Sequence, residues 1–336
     1  MIHKHFVRIT QMVVCMLAGF FIISTAPAQT FSLDALTAGA NGVAPDDLLL
    51  APGGAPLLGG ATGLAPPPPP GFPLPPVDVD AISFGHVFPA GHSLVGAEFS
   101  VAPGSVGAAG TALSAESGGV GFLDEPADIY ISGMGGLNAL GWDGDGVPAP
   151  GVPLLGPMGV FEPGSNVDAW DATPPFGPAP IGPGIHFTVT AFEAATHPIY
   201  TGTGATGSYI FFSPPVVGYS VLPALFATDA SLGLLFLDDI DALVIVDDGS
   251  GGPSPGDTIY FSLTPISPTL GLLGASPADI LVTSIGGAPS IAVTAASLGM
   301  LAGDDMDALD LVIIPEPASA ALMCLAGVWM CGRRRG

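Results

Sequence analysis

The chain has 336 residues, 49% of them hydrophobic and only 10% charged, with 49 Gly and 37 Pro. Asp plus Glu total 29 against 5 Lys plus Arg, a formal net charge of −24. Such a surface repels phosphate backbones and anionic lipid headgroups, which excludes nucleic-acid binding through a basic patch, and the apolar content is too high for a disordered acidic tail.

The basic residues are Lys4, Arg8, Arg333, Arg334 and Arg335, so no Lys or Arg lies between Arg8 and Arg333. The cysteines, Cys15, Cys324 and Cys331, are also terminal. The middle of the chain therefore has no disulfide and no Lys or Arg salt bridge. Its acids must be balanced by protons, backbone donors or bound cations.

Residues 1–28 read as a secretory signal peptide. Lys4 and Arg8 form a basic start, Met12 to Ile23 an apolar core, and Ala26-Pro27-Ala28 a small-residue site with cleavage expected after Ala28. The apolar core is short of the roughly 20 residues that span a bilayer. The implied partners are the Sec export machinery and signal peptidase. Residues 29–77 are dominated by Ala, Gly, Pro and Leu, including Pro66 to Pro70. That composition predicts a semi-rigid spacer with polyproline character.

Residues 78–314 form an acidic ectodomain in which short phrases recur in fixed order. The first is Asp78-Val-Asp80-Ala-Ile82, Asn166-Val-Asp168-Ala-Trp170, Asp239-Ile-Asp241-Ala-Leu243 and Asp305-Met-Asp307-Ala-Leu309. Between its copies fall Ala97-Glu-Phe-Ser-Val101, Ile185-His-Phe-Thr-Val189 and Thr258-Ile-Tyr-Phe-Ser262. Further β-branched and aromatic runs begin at Ala127, Gly207 and Ala278, separated by Gly, Pro, Asp and Ser turns. The expectation is an all-β tandem repeat of about three four-stranded units. A propeller-like closed array is the leading architecture and a β-sandwich pair the alternative, with the last Asp phrase returning beside the first. Helix is expected only at the two termini, as a signal helix and a C-terminal transmembrane helix.

The aspartate clusters are the candidate site. Asp239, Asp241 and Asp247, and Asp305, Asp307 and Asp310, offer oxygen-only ligands of the kind Ca²⁺ takes. The competing reading is solvated turn acids. Trp142-Asp143-Gly-Asp145-Gly146 resembles the opening of a calcium loop, but Leu154 stands where a bidentate acid is required. His86, His92, His186 and His197 show no zinc-binding spacing. Trp142 and Trp170 are candidate contacts for an extracellular polysaccharide.

At the C-terminus, Pro315-Glu316-Pro317 precedes an apolar stretch from Ala318 to Gly332 and then Arg333-Arg334-Arg335. This order closely resembles the PEP-CTERM sorting signal over residues 315–336. The resemblance implies processing by an exosortase in a Gram-negative-type bacterium that makes extracellular polysaccharide. It further implies a membrane-held precursor, transiently inserted through the C-terminal helix, with the arginines retained on the cytoplasmic side. The wording around Asp304-Asp305-Met-Asp307 also looks like uncharacterised repeat ectodomains of such proteins, a likeness that carries no activity. The expected function is non-enzymatic: a structural or adhesive protein of the cell envelope or exopolysaccharide matrix. A Ca²⁺-dependent polysaccharide-binding module and a matrix-remodelling glycoside hydrolase are the alternatives.

Overall fold

The computed structural model describes residues 28–33, 38, 47–51, 55–57, 64, 78–83, 97–103, 105–116, 125–132, 136–144, 156–157, 166–172, 185–196, 198–213, 223–248, 250 and 252–312. The chain divides into two compact units, one of residues 29–311 and one of residues 1–28 with 312–336. The expected signal helix and C-terminal transmembrane helix lie outside the described residues. Among the described residues, no helix is long and apolar enough to cross a membrane.

The larger unit is built from antiparallel meanders. β1 (Ala28–Ser32), β2 (Leu48–Ala51) and β3 (Ala55–Leu57) belong to a first sheet. β4 (Ala81–Ser83), β5 (Ala97–Ser100), β6 (Ile129–Ser132) and β7 (Asn138–Asp143) form a second, with the two-residue β8 (Gly156–Pro157) added in parallel. β9 (Val167–Ala172), β10 (Ile185–Val189), β11 (Ile210–Ser213) and β12 (Ala224–Ala227) form a third. β13 (Ile240–Val246), β14 (Thr258–Leu263), β15 (Ile280–Ser284) and β16 (Ser290–Val293) form a fourth. The last strand, β17 (Ala308–Val312), returns to the first sheet, whose order is β17-β1-β2-β3.

Among the described residues the fold is thus all-β, with four sheets where about three units were expected. The extra sheet comes from the stretch expected to be a spacer, which supplies β1, β2 and β3. Its proline content is compatible with this because Pro56 sits in β3, at the edge of the sheet, where a missing N–H costs no interior ladder bond. The final Asp phrase leads into a strand that pairs with β1 rather than with the first Asp phrase.

Apolar residues pack between sheets in four clusters. Trp142, Trp170 and Phe187 lie between the second and third sheets, and Ile210, Phe226 and Phe261 between the third and fourth. Phe31, Val244 and Leu309 join the fourth to the first, while Val79, Phe99 and Ala308 join the first to the second. Sheets covered on both faces need nearly continuous apolar strands, and all five side chains of β10 are buried.

Four equivalent buried hydrogen bonds accompany this packing. Ser32 Oγ donates to the Val79 carbonyl at 2.8 Å, Ser100 Oγ to Val167 at 3.3 Å, Thr188 Oγ1 to Ile240 at 3.3 Å and Ser262 Oγ to Met306 at 2.9 Å. Each runs from the second strand of one sheet to the residue just before the second Asp (Asp80, Asp168, Asp241 or Asp307) of the next phrase. Ser32 belongs to a Phe31-Ser32-Leu33 copy of the second repeat phrase.

Short helical turns occur between strands, contrary to the expectation of helix only at the termini. Ala230-Ser-Leu and Ala296-Ser-Leu lie in turns of this kind, at Asp229–Leu232 and Ala295–Leu298. Thr228 caps the first with a capping box. Gly233 (φ 71°) and Gly299 (φ 85°) end both in the left-handed region that glycine reaches without strain.

Candidate metal centre

The repeated Asp phrases enter the leading strands β4, β9, β13 and β17, and β9 packs against both β4 and β13. Because the hydroxyl bonds hold the preceding carbonyl in every copy, the second Asp of each phrase occupies an equivalent place. Asp241 is the extra residue of a bulge in β13, between Ile240, which pairs with Leu263, and Ala242, which pairs with Ser262, and such bulges re-aim a side chain.

Asp241, Asp305 and Asp307 each bring one carboxylate oxygen within 4.8 Å of the others. Asp241 is only 9% exposed, and its Oδ2 has no hydrogen-bond partner among the described residues. Burial drives its pKa well above the carboxylate range, and the charges of Asp168, Asp307, Asp305 and Asp239 push in the same direction. Asp239 Oδ2 accepts from the Ala191 N–H at 3.2 Å, while its Oδ1 lies against Gly207 with no hydrogen-bond partner among the described residues. Burial lifts Asp239 to about 6, partly offset by the Ala191 bond. In the first copy, burial lifts Asp80 to about 7 against the lowering effect of a hydrogen bond with Asn166, the neutral residue that replaces Asp at the start of the second phrase.

Other acids have a different role. Asp238 accepts from the Leu235 N–H at 2.6 Å, from the Thr269 N–H at 2.9 Å and from the Thr269 hydroxyl. Asp279 accepts from Ser276 and Ala295, and Asp304 from Leu301. These carboxylates replace missing backbone partners in turns. Asp247 is separated from Asp239 and Asp241 and lies in the β13–β14 turn with Asp248 and Asp257, within the same 4.8 Å spacing. There Asp248 accepts from the Ser254 hydroxyl and the Ser250 N–H, which help hold its pKa below the usual range, and Asp257 accepts from the Asp248 and Ser254 N–H groups. Asp310 is also separate from the central cluster: it is buried on β17, and its charge acts on Glu98 of β5.

Glu98 was not singled out by the sequence. It is 1% exposed, neither carboxyl oxygen has a hydrogen-bond partner among the described residues, and its pKa rises to about 8, first through burial and then through Asp310. The available signal was an acid inside an otherwise buried run, Ala97-Glu-Phe-Ser-Val101. His186 occupies the corresponding place in β10, where Phe212 and Phe226 flank its ring and burial depresses its pKa to about 3.

Trp142 and Trp170, expected as polysaccharide contacts, are core residues. Each is 1% exposed, in the cluster between the second and third sheets, and offers no open face on which a sugar could stack. Asp143 of the calcium-loop lookalike is buried in β7. Of the sorting residues, Ala28 is the first residue of β1. Ala26, Pro315, Glu316, Pro317, Arg333, Arg334 and Arg335 lie outside the described residues. Comparison with protein-family models, curated proteins and solved structures finds no match to this chain.

The donor set is therefore all oxygen, which suits a hard cation such as Ca²⁺ and not the nitrogen and sulfur preference of zinc. Asp241, Asp305 and Asp307 would be its ligands, with Asp239 and Asp168 adding negative charge nearby.

Proposed function

We propose that this is an exported, non-enzymatic structural or adhesive protein of the cell envelope or exopolysaccharide matrix, whose four sheets close into a propeller-like array. The observation that carries the structural reading is the cycle of four hydroxyl-to-carbonyl bonds, which runs from the first sheet through the second, third and fourth back to the first. The pairing of β17 with β1 and the four inter-sheet clusters support closure over a sandwich pair. Closing the array with the last strand removes exposed interior edges and yields a rigid module.

Export rests on the terminal sequences. A signal-peptide pattern stands at one end, and Pro315-Glu316-Pro317, an apolar stretch and Arg333-Arg334-Arg335 stand at the other. Exosortase, signal peptidase and the Sec machinery are the partners this reading names. Processing at both ends removes every basic residue and leaves a wholly anionic ectodomain. Burial of Trp142 and Trp170 removes the aromatic support for the polysaccharide-binding alternative.

Cell fractionation of the wild-type chain and of a Pro315→Ala, Glu316→Ala variant tests the sorting assignment. The wild type is expected in the envelope or matrix fraction, with the variant trapped as precursor in the membrane fraction. Unchanged maturation of the variant would overturn the assignment.

A further inference from the structure

We propose that Asp241, Asp305 and Asp307 bind one Ca²⁺ ion that ties β13 to the segment entering β17. The inference goes beyond the export and scaffold reading and does not depend on it.

The geometry comes first. Ca²⁺ holds oxygen ligands at about 2.3–2.6 Å, so two oxygens on opposite sides of one ion lie roughly 5 Å apart. Three carboxylate oxygens all within 4.8 Å of one another fit on such a shell. Three carboxylates can supply as many as six oxygens, within the range Ca²⁺ accepts.

A cluster of acids alone would not make a site, and the turn group Asp247, Asp248 and Asp257 shows why. It meets the same spacing, yet Asp248 and Asp257 already accept N–H and O–H donors that organise the loop. At the β13–β17 cluster the situation is reversed. Asp241 is more than nine-tenths buried, and its Oδ2 has no donor among the described residues. Asp239, two residues earlier, also has an oxygen, Oδ1, with no donor among the described residues. A buried carboxylate oxygen with no donor is costly to maintain. No Lys or Arg lies between Arg8 and Arg333 to relieve it. A metal ion or a proton must do so; a proton joins at most two carboxyl groups, whereas a Ca²⁺ ion takes oxygens from all three.

The bridge has a definite structural role. Asp241 lies in the fourth sheet, whereas Asp305 and Asp307 immediately precede β17, which completes the first. An ion there joins the final strand to its neighbouring sheet beside the Ser262–Met306 bond. Without it, the acids repel one another across that junction.

Titration of the full chain with CaCl₂ at pH 7.5, by calorimetry and by thermal melting against EDTA, tests the proposal. One ion per chain is expected, with a dissociation constant of about 10⁻⁴–10⁻³ M. At 10 mM Ca²⁺ this raises the melting temperature by roughly 3–10 °C. Asp241→Asn should weaken Ca²⁺ binding at least tenfold, yet melt above the wild type in EDTA because it removes a repelling charge. Asp305→Asn supplies the same comparison if Asp241→Asn does not fold. Asp248→Asn should keep the full Ca²⁺ response. Absence of a calcium-dependent shift, or a wild-type response in a folded Asp241→Asn or Asp305→Asn variant, would overturn the proposal. Equal loss in Asp248→Asn would do the same by moving the ion to the β13–β14 turn.

Discussion

Glu98→Gln should make the protein progressively more stable than the wild type as pH rises. Glu98 is buried on β5 with two unpartnered oxygens, and its pKa moves from 4.5 to about 8 through burial and then through the charge on Asp310. Below pH 4.5 the carboxyl is protonated in both folded and unfolded chains, and Glu98 lends the fold its full contribution. Between 4.5 and about 8 the folded chain holds a proton that the unfolded chain releases, so stability falls as pH rises. At about 1.4 kcal/mol per pH unit, the complete interval corresponds to an upper bound of roughly 5 kcal/mol. Glutamine keeps the shape and cannot ionise, so the variant should match the wild type near pH 4 and exceed it by several kcal/mol near pH 9. Urea unfolding in EDTA from pH 4 to 9 measures the difference and excludes cation effects. Parallel pH profiles for the two proteins would refute the reasoning, because they would mean that Glu98 ionises in the folded state without penalty.

Three further outcomes are expected. Ser262→Ala removes the bond to the Met306 carbonyl and should cost about 1–2 kcal/mol in urea unfolding, more than an exposed Ser250→Ala. His186→Phe should flatten the acid limb of the stability profile. With its pKa depressed to about 3, His186 contributes stability above its ordinary 6.5 that is lost as pH falls towards 3, and a phenylalanine that packs in its place shows no such loss. Gly207→Ala places a methyl group against Asp239 Oδ1, so in calorimetry it should weaken Ca²⁺ binding severalfold; unchanged affinity would mean that Asp239 lies outside the field of the ion.

The repeat was legible because strand phrases survive in order: an acid pair, then an aromatic followed by Ser or Thr, then a further β-rich run. The first sheet was not, for physical reasons tied to its position. Phe31-Ser32-Leu33 abuts the signal-peptide boundary, and β3 carries Pro56, which is tolerated only because that strand is an edge. Composition dominated by Pro and Gly therefore masked a real meander. The candidate cation ligands were partly legible, since the repeated Asp-x-Asp phrase singles out Asp239 with Asp241 and Asp305 with Asp307. What sequence could not provide was the distinction between neighbouring acids such as Asp238 and Asp239. One completes a turn by accepting from Leu235 and Thr269, and the other keeps an unpartnered oxygen near Asp241. That difference depends on backbone donors brought in by other segments. The tryptophans failed as binding candidates for the same reason: indole area serves a core and a sugar platform equally, and only packing between sheets decides which.

The carboxylates therefore divide into two groups with opposite energetic consequences. Turn acids such as Asp279 and Asp304 accept backbone N–H groups and complete the loops they sit in. Asp80, Asp241 and Glu98 are buried and Asp239 partly so, each with an oxygen that has no donor among the described residues, and their raised pKa values make ionisation costly. His186 imposes the reverse constraint from the acid side, because it must remain neutral. In the fold, protons alone keep these acids neutral while the imidazole also stays neutral only between about pH 3, the depressed value of His186, and about 6, the raised value of Asp239. A cation at Asp241, Asp305 and Asp307 widens that window upward by replacing the proton at the junction it bridges. It leaves Glu98, outside that cluster, still dependent on pH. Calcium and alkaline pH should therefore act through separate residues, so that Asp241→Asn and Glu98→Gln are additive in EDTA while only the first abolishes the response to Ca²⁺.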